Sequence, residues 1–325
     1  MLLYKAINKF NTFIFMKYSF LLLALLAGCI STNKEKMAQK DVVGTFERIE
    51  KFHSDYISSR TVDIWLPNEY DESEKYAVLY MHDGQMLFDS TTTWNGQEWG
   101  VDETLQRLID EGKVRKTIVV GIWNGGETRH ADYFPQKPFE ALNESYRDSL
   151  IEEAKRYEES DLFATDVQSD NYLRFIVEEL KPYIDSHFST LTNRENTYVM
   201  GSSMGGLISM YAICEYPEVF AGAACLSTHW PGTFRVENNP IPEKFAEYMY
   251  RNLPRPSTHK VYFDYGTETL DQLYQNLQPM IDTVMAEKGF DSTSWVTRKF
   301  EGHDHSENSW KSRLHIPLTF LLGKD

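Results

Sequence analysis

Residues 196–206 read Asn-Thr-Tyr-Val-Met-Gly-Ser-Ser-Met-Gly-Gly, and the fold follows from how this stretch is interpreted. Asn196–Met200 has the β-branched and aromatic content of a short buried strand. Gly206–Cys214 is apolar nearly all round and predicts a buried helix. Between them Gly201-Ser202-Ser203-Met204-Gly205 spells G-x-S-x-G, so the spacing predicts a strand that turns sharply into a helix with Ser203 at the apex. Side chains near so tight a turn would strike the strand and helix, which accounts for glycine at 201, 205 and 206. The turn also offers the backbone N–H of Met204, at the start of the helix, to a developing oxyanion. Ser203, not Ser202, is the candidate nucleophile.

Working outward, apolar runs and helical patterns alternate. Gly44–His53 and Arg60–Pro67 predict an opening hairpin. Strands are expected at Tyr76–Met81, Thr117–Ile122, Phe220–Leu226, Lys260–Asp264 and Trp295–Phe300. Helices are expected at Val101–Glu111, Asn171–Phe188, Glu243–Leu253, Leu270–Lys288 and Asn308–Leu322. Such alternation predicts a mostly parallel central sheet with helices on both faces. The densely charged Tyr146–Asp161 interrupts the pattern and reads as a solvated helix, with a lid over the site as the sharper alternative.

Ligands of an open parallel sheet bind beyond the carboxyl ends of its strands, and the suggestive residues cluster at such ends. His82-Asp83-Gly84-Gln85 follows one strand and Trp123-Asn124-Gly125-Gly126 another. Ser203, then Ser227–Trp230, Gly266-Thr267-Glu268 and His303-Asp304-His305 follow the rest. A serine hydroxyl needs a general base, and histidine suits neutral pH. His259 and His315 fall within or beside structural elements, which leaves His303 and His305. The acid that orients the base is sought after the preceding strand, among Asp264, Glu268 and Asp271. Position favours Glu268, in the turn after Gly266, with Asp271 the runner-up. Trp123 and Trp230 are candidate platforms for a sugar or an aromatic acyl group. Arg129 either contacts substrate or pairs with a carboxylate.

The chain has 325 residues, 42% of them hydrophobic, enough for a substantial core, and the motif spacing favours one catalytic domain over 44–325. Its net charge of −15, without a basic cluster in the body of the chain, argues against nucleic acid as a partner. There is no Cys/His cluster with metal-ligand spacing and no Gly-rich dinucleotide loop, so no cofactor and no metal are expected. Cys214 and Cys225 sit on apolar elements and read as small buried hydrophobes rather than a bridge. Lys17 and the run Phe20–Leu26 predict a secretory signal over 1–28, too short to span a bilayer. Leu26-Ala27-Gly28-Cys29 resembles a bacterial lipobox, which implies lipidation at Cys29, a polar tether over 29–43 and a place in the cell envelope, membrane-attached through that anchor.

These features together resemble the putative-esterase family of α/β-hydrolases, which includes esterase D, feruloyl and acetyl-xylan esterases and enterochelin-esterase-like hydrolases. The resemblance runs from about Thr61 to Leu321. It is carried by Tyr80–Gln85, Glu98–Glu103, Arg129 with Asp132–Pro135, Gly201–Gly206, Tyr262–Glu268, and His305-Ser306-Glu307 with Trp310. It implies an α/β-hydrolase fold, selects His305 over His303, and assigns the second oxyanion donor to the backbone N–H of Gln85. It implies a serine esterase that works through an acyl-enzyme on a small-molecule or glycan ester, feruloyl or acetyl esters foremost. A siderophore-triester hydrolase or an acyltransferase could use the same residues. A non-catalytic glycan-binding protein on this fold is the alternative of a different class. Many members carry the acid three residues after the glycine, where this chain has Thr269.

Overall fold

A computed structural model of the chain describes residues 42–157 and 160–324. The signal segment 1–28, Cys29 and nearly all of the tether lie outside the described residues. Strands β1 (Thr45–Phe52) and β2 (Arg60–Leu66) pair antiparallel as the expected hairpin. They are followed by β3 (Ala77–His82) and β4 (Thr117–Ile122), then by the short antiparallel pair β5 (Lys155–Tyr157) and β6 (Ser160–Asp161). The main sheet resumes with β7 (Thr197–Ser202), β8 (Gly222–Leu226), β9 (Lys260–Gly266) and β10 (Trp295–Phe300). Its eight strands lie in the order β1-β2-β4-β3-β7-β8-β9-β10, parallel from β4 to β10.

Every residue of β3, β4, β7 and β8 is buried, as strands covered on both faces must be. Period-two alternation sorts them. Val78 and Tyr80 of β3 join one hydrophobic cluster, whereas Leu79 and Met81 join a second on the opposite face. The first cluster holds Trp230, Phe134 and Leu162, and the second holds Trp99, Trp310 and the C-terminal helix residues Leu318 and Leu321. Cys214 and Cys225 are free and buried. Strand order reverses direction between β3 and β7, and the crevice beyond that switch point is where a ligand fits such a sheet.

The expected helix over 171–188 is Ser169–His187, with a π-helical stretch at Phe175–Leu180. Pro182 follows at once; it has no N–H to bond the carbonyl one turn back, and the ladder widens ahead of it. Within the charged insert, Glu144–Glu153 is a helix opened by the Asn143 side chain, which accepts from Tyr146 N–H. Leu150 is its one buried residue among those described, so this part is solvated, as a polar helix should be. Two short helices, Arg129–Tyr133 and Gln136–Glu140, have no clear periodic signature in the sequence.

Candidate active site

The turn after β7 bends as its glycines require. Ser203 has φ 57° and ψ −121°, a strained conformation for a residue with a Cβ. Its N–H is held by the carbonyl of Leu226 at 2.9 Å, and its own carbonyl accepts from Gly206 and Leu207. A Cβ on Gly201 would sit 2.7 Å from the Gly205 carbonyl group, and one on Gly206 would sit 2.8 Å from Thr228 Oγ1. At Gly205 a Cβ would meet nothing outside its own helix closer than 3.4 Å, so space is the reason for glycine at 201 and 206 but not there.

His305 Nδ1 lies 2.5 Å from Asp271 Oδ1. The carboxylate on the histidine is therefore that of Asp271, and the expectation for Glu268 is corrected. The reason is local geometry. Strand β9 continues to Gly266, and the tight turn Thr269–Leu273, entered with Thr269 at φ 51°, folds Asp271 back under the imidazole. Glu268 points to solvent at the head of that turn. Asp264 is buried and paired with Arg313 Nη2 at 2.9 Å.

Asp271 is an acceptor on both oxygens: Oδ2 receives the Ser227 hydroxyl at 2.6 Å and the Gly266 N–H at 2.5 Å. Burial alone would raise its pKa, but His305 and these donors offset that and hold it below the usual carboxylate range. An ionised acceptor at Nδ1 keeps the proton on that nitrogen and leaves Nε2 bare. The ring is fixed edge-on against Trp310, with centroids 5.1 Å apart, and against Tyr274. His303 has a different task. Its carbonyl accepts from the N–H groups of Thr267 and Glu268 and its ring packs on Phe300.

The turn directly after β3 also lines the cavity, through Asp83, Gln85 and Met86. Gln85 and Met204 both lie in the first turn of a helix, where N–H groups have no acceptor inside the helix. Arg129 grips Asp83 with two hydrogen bonds of 2.7 Å, and Asn124 Nδ2 adds a third at 2.7 Å. Burial would raise the Asp83 pKa, yet Arg129 holds it low. Asp83 in turn has left-handed φ, which sets the path of the Gly84–Met86 turn. Arg129 thus pairs with a carboxylate while still lining the pocket. His82, buried and with its pKa pushed down to about 3, braces this loop from below through Tyr172.

Ser203, Met204, Gln85, Arg129 and His305 line one cavity of about 660 Å³. A second groove of about 700 Å³, between Ile241–Asn252 and Tyr274–Glu287, is lined by none of them. The two tryptophan platforms expected from the sequence are not in the cavity wall. Trp230 is fully buried, with its N–H on Gln278 Oε1 at 2.8 Å. Trp123 donates to Asp63 and lies under Arg48. Four other aromatics line the cavity: Trp99 and Trp310 are buried, whereas Trp94 and Phe234 are open, 84% and 54% exposed. The sequence places Ser227 and His229 at a strand end but gives neither a role, and it does not single out Arg313; all three are fully buried polar residues at the site.

Residues 56–315 match the family model described as "Putative esterase". The uncharacterized protein YbbA of Bacillus subtilis is 22% identical over 274 residues, covering 82% of this chain and 94% of that protein. Among solved structures, the ferulic acid esterase of Anaeromyces mucronatus superposes with a TM-score of 0.58 at 19% identity, covering 90% of this chain and 94% of that one. The enterobactin esterase of Shigella flexneri superposes with the same TM-score of 0.58 at 16% identity, covering 88% of this chain and 62% of that one. At such identities the likeness of the structures shows a common fold.

Proposed function

The chain belongs to the putative-esterase family and is a carboxylic ester hydrolase, and from that premise we propose that it is a serine esterase acting through Ser203, His305 and Asp271. The observation that carries this reading is the 2.5 Å bond between His305 and Asp271 in a cavity that Ser203 also lines. Ser203 Oγ attacks the ester carbonyl carbon and gives its proton to His305 Nε2, while Asp271 stabilises the imidazolium. The N–H groups of Gln85 and Met204 take the oxyanion. Collapse of the tetrahedral species breaks the bond to the alcohol, which leaves with the proton from His305. Water then loses a proton to His305, attacks the acyl-enzyme, and Ser203 is regenerated as the acid departs.

The natural ester is read as a feruloyl or acetyl group on a glycan. The fold shared with the ferulic acid esterase of Anaeromyces mucronatus supports this. The fold shared with the enterobactin esterase of Shigella flexneri supports a siderophore ester as a second reading. A panel of acetyl, feruloyl and siderophore-triester substrates separates the two. Ser203→Ala should lower kcat by about 10⁴-fold or more. An active Ser203→Ala, or a Ser203 that a fluorophosphonate does not label, would overturn the nucleophile assignment.

The protein is further read as a lipoprotein anchored in the bacterial cell envelope through Cys29, on the lipobox-like Leu26–Cys29. Replacing Cys29 with alanine in a bacterial host should release the protein from the membrane fraction. Unchanged membrane association of that variant would rule the anchor out.

A further inference from the structure

The cavity straddles the carboxyl edge of the sheet, and its two walls rise from opposite faces. On one side stand His305 and Glu307, over the cluster in which Trp99 packs on Trp310 with centroids 5.3 Å apart. Trp94 belongs to this wall. Its loop is tied to the residues just after His305 at three points: Asn95 Nδ2 to Glu307 Oε2 at 2.8 Å, Asn308 N to Gln97 Oε1 at 3.3 Å, and Lys311 Nζ to Glu98 Oε1 at 2.7 Å. The loop also closes on itself through Ser90 N–H and Glu98 at 2.8 Å. The loop that carries this indole, itself 84% exposed, is thus tied to the segment that follows the general base. On the other side Phe234 and Leu162 rise over the cluster that contains Trp230 and Phe134. The Phe234 ring lies 5.8 Å from that of His229, whose backbone N–H donates to the Ser203 carbonyl at 3.2 Å.

The reaction fixes which half of an ester meets which wall. The departing oxygen must lie within hydrogen-bond reach of His305 Nε2, because that nitrogen protonates it. The alcohol therefore extends along the wall that carries His305 and Trp94, and the acyl substituent extends toward Phe234. From this geometry we propose that Trp94 is the platform for a sugar alcohol and Phe234 flanks an aromatic acyl group. The inference rests on the assignment of Ser203 and His305 and deepens it by giving the substrate a direction. The apolar C–H face of a pyranose or furanose ring suits the exposed indole face. The loop beneath the platform is tied down before binding, so less ordering is needed when the sugar docks. A flat hydroxycinnamoyl ring suits the edge or face of Phe234.

The test crosses two variants with four substrates: feruloyl arabinose, methyl ferulate, acetyl arabinose and methyl acetate. Trp94→Ala should lower kcat/KM for the arabinose esters roughly tenfold more than for the methyl esters, whichever acid they carry, and chiefly through KM. Trp94→Phe should recover part of the loss. Phe234→Ala should erode the preference for feruloyl over acetyl by a similar factor on either alcohol. Equal losses on both alcohols in Trp94→Ala, an exchange of the two patterns, or a wild-type enzyme that does not distinguish feruloyl arabinose from methyl ferulate would each overturn the proposal. Fluorophosphonate labelling of Ser203 in the same variants keeps this test apart from that of the nucleophile. Retained labelling with no substrate-selective loss overturns the direction alone, whereas an unlabelled wild-type Ser203 overturns the assignment beneath it.

Discussion

Ser227 Oγ lies 2.6 Å from Asp271 Oδ2 and receives both Trp310 Nε1 and Arg313 Nη2, each at 2.9 Å. A hydroxyl has one proton and two lone pairs. Two donors fill the lone pairs, so the proton must point at Asp271. Asp271 is then locked as an ionised acceptor, turned by Ser227 and Gly266 so that its other oxygen meets His305. Arg313, fully buried, extends the chain to Asp264.

Ser227→Ala should therefore act through the acid. It removes one donor from Asp271 and leaves the Trp310 N–H without its acceptor, a loss of about 1–3 kcal/mol for a buried partner. We expect kcat to fall roughly tenfold or more with KM little changed, and the melting temperature to drop. Steady-state kinetics beside a thermal melt check this. A variant that melts early but keeps wild-type kcat would show that Ser227 serves the fold and not the proposed triad.

The acid itself gives a sharper contrast. Asp271→Asn should cost about 10⁴-fold in kcat, as loss of a triad carboxylate does by favouring the wrong tautomer of the base. Glu268→Gln, at an exposed side chain, should change kcat by less than about twofold. His303→Ala should be mild in activity beside His305→Ala, because its ring does not face Asp271. Kinetics on a short p-nitrophenyl ester, with circular dichroism to establish folding, decides between them.

That contrast also shows where the sequence stops being legible. The elbow is readable because its constraint is local: Gly201, Ser203 and Gly206 are set by one turn. The strands are readable because β3, β4, β7 and β8 are apolar on both faces. Chain position favours Glu268 over Asp271 because it says nothing of a turn that folds back on itself. Gly266 marks that fold, since a Cβ there would sit 2.1 Å from the His303 carbonyl oxygen, but only the packed structure shows what presses on it. Trp230 failed as a platform because its partner, Gln278, lies far along the chain. Ser227 and Arg313 are likewise joined only by tertiary packing.

Acid should weaken the fold earlier than its carboxylates alone would predict, because two buried histidines must stay neutral. Burial pushes the pKa values of His82 and His229 from 6.5 down to about 3. The geometry agrees for His229. Its Nε2 faces the Thr233 carbonyl at 3.1 Å and must carry the proton, so Nδ1 accepts from Tyr274 at 2.9 Å. Above the ordinary value both states are neutral and neither histidine affects stability. Below it the unfolded chain binds a proton that the folded chain refuses, so stability falls as pH drops from 6.5 toward 3. The slope is about 1.4 kcal/mol per pH unit for each histidine. Between about pH 7 and pH 5 each of these two histidines should take roughly 2 kcal/mol from the free energy of urea unfolding, about 4 kcal/mol for the pair. His82→Gln, which keeps a polar group facing Tyr172 and cannot titrate, should remove roughly 2 kcal/mol of acid destabilisation over that interval. An equal difference in wild type and variant would mean that His82 is protonated in the folded protein, and the loop it braces would then carry a charge beneath the oxyanion site.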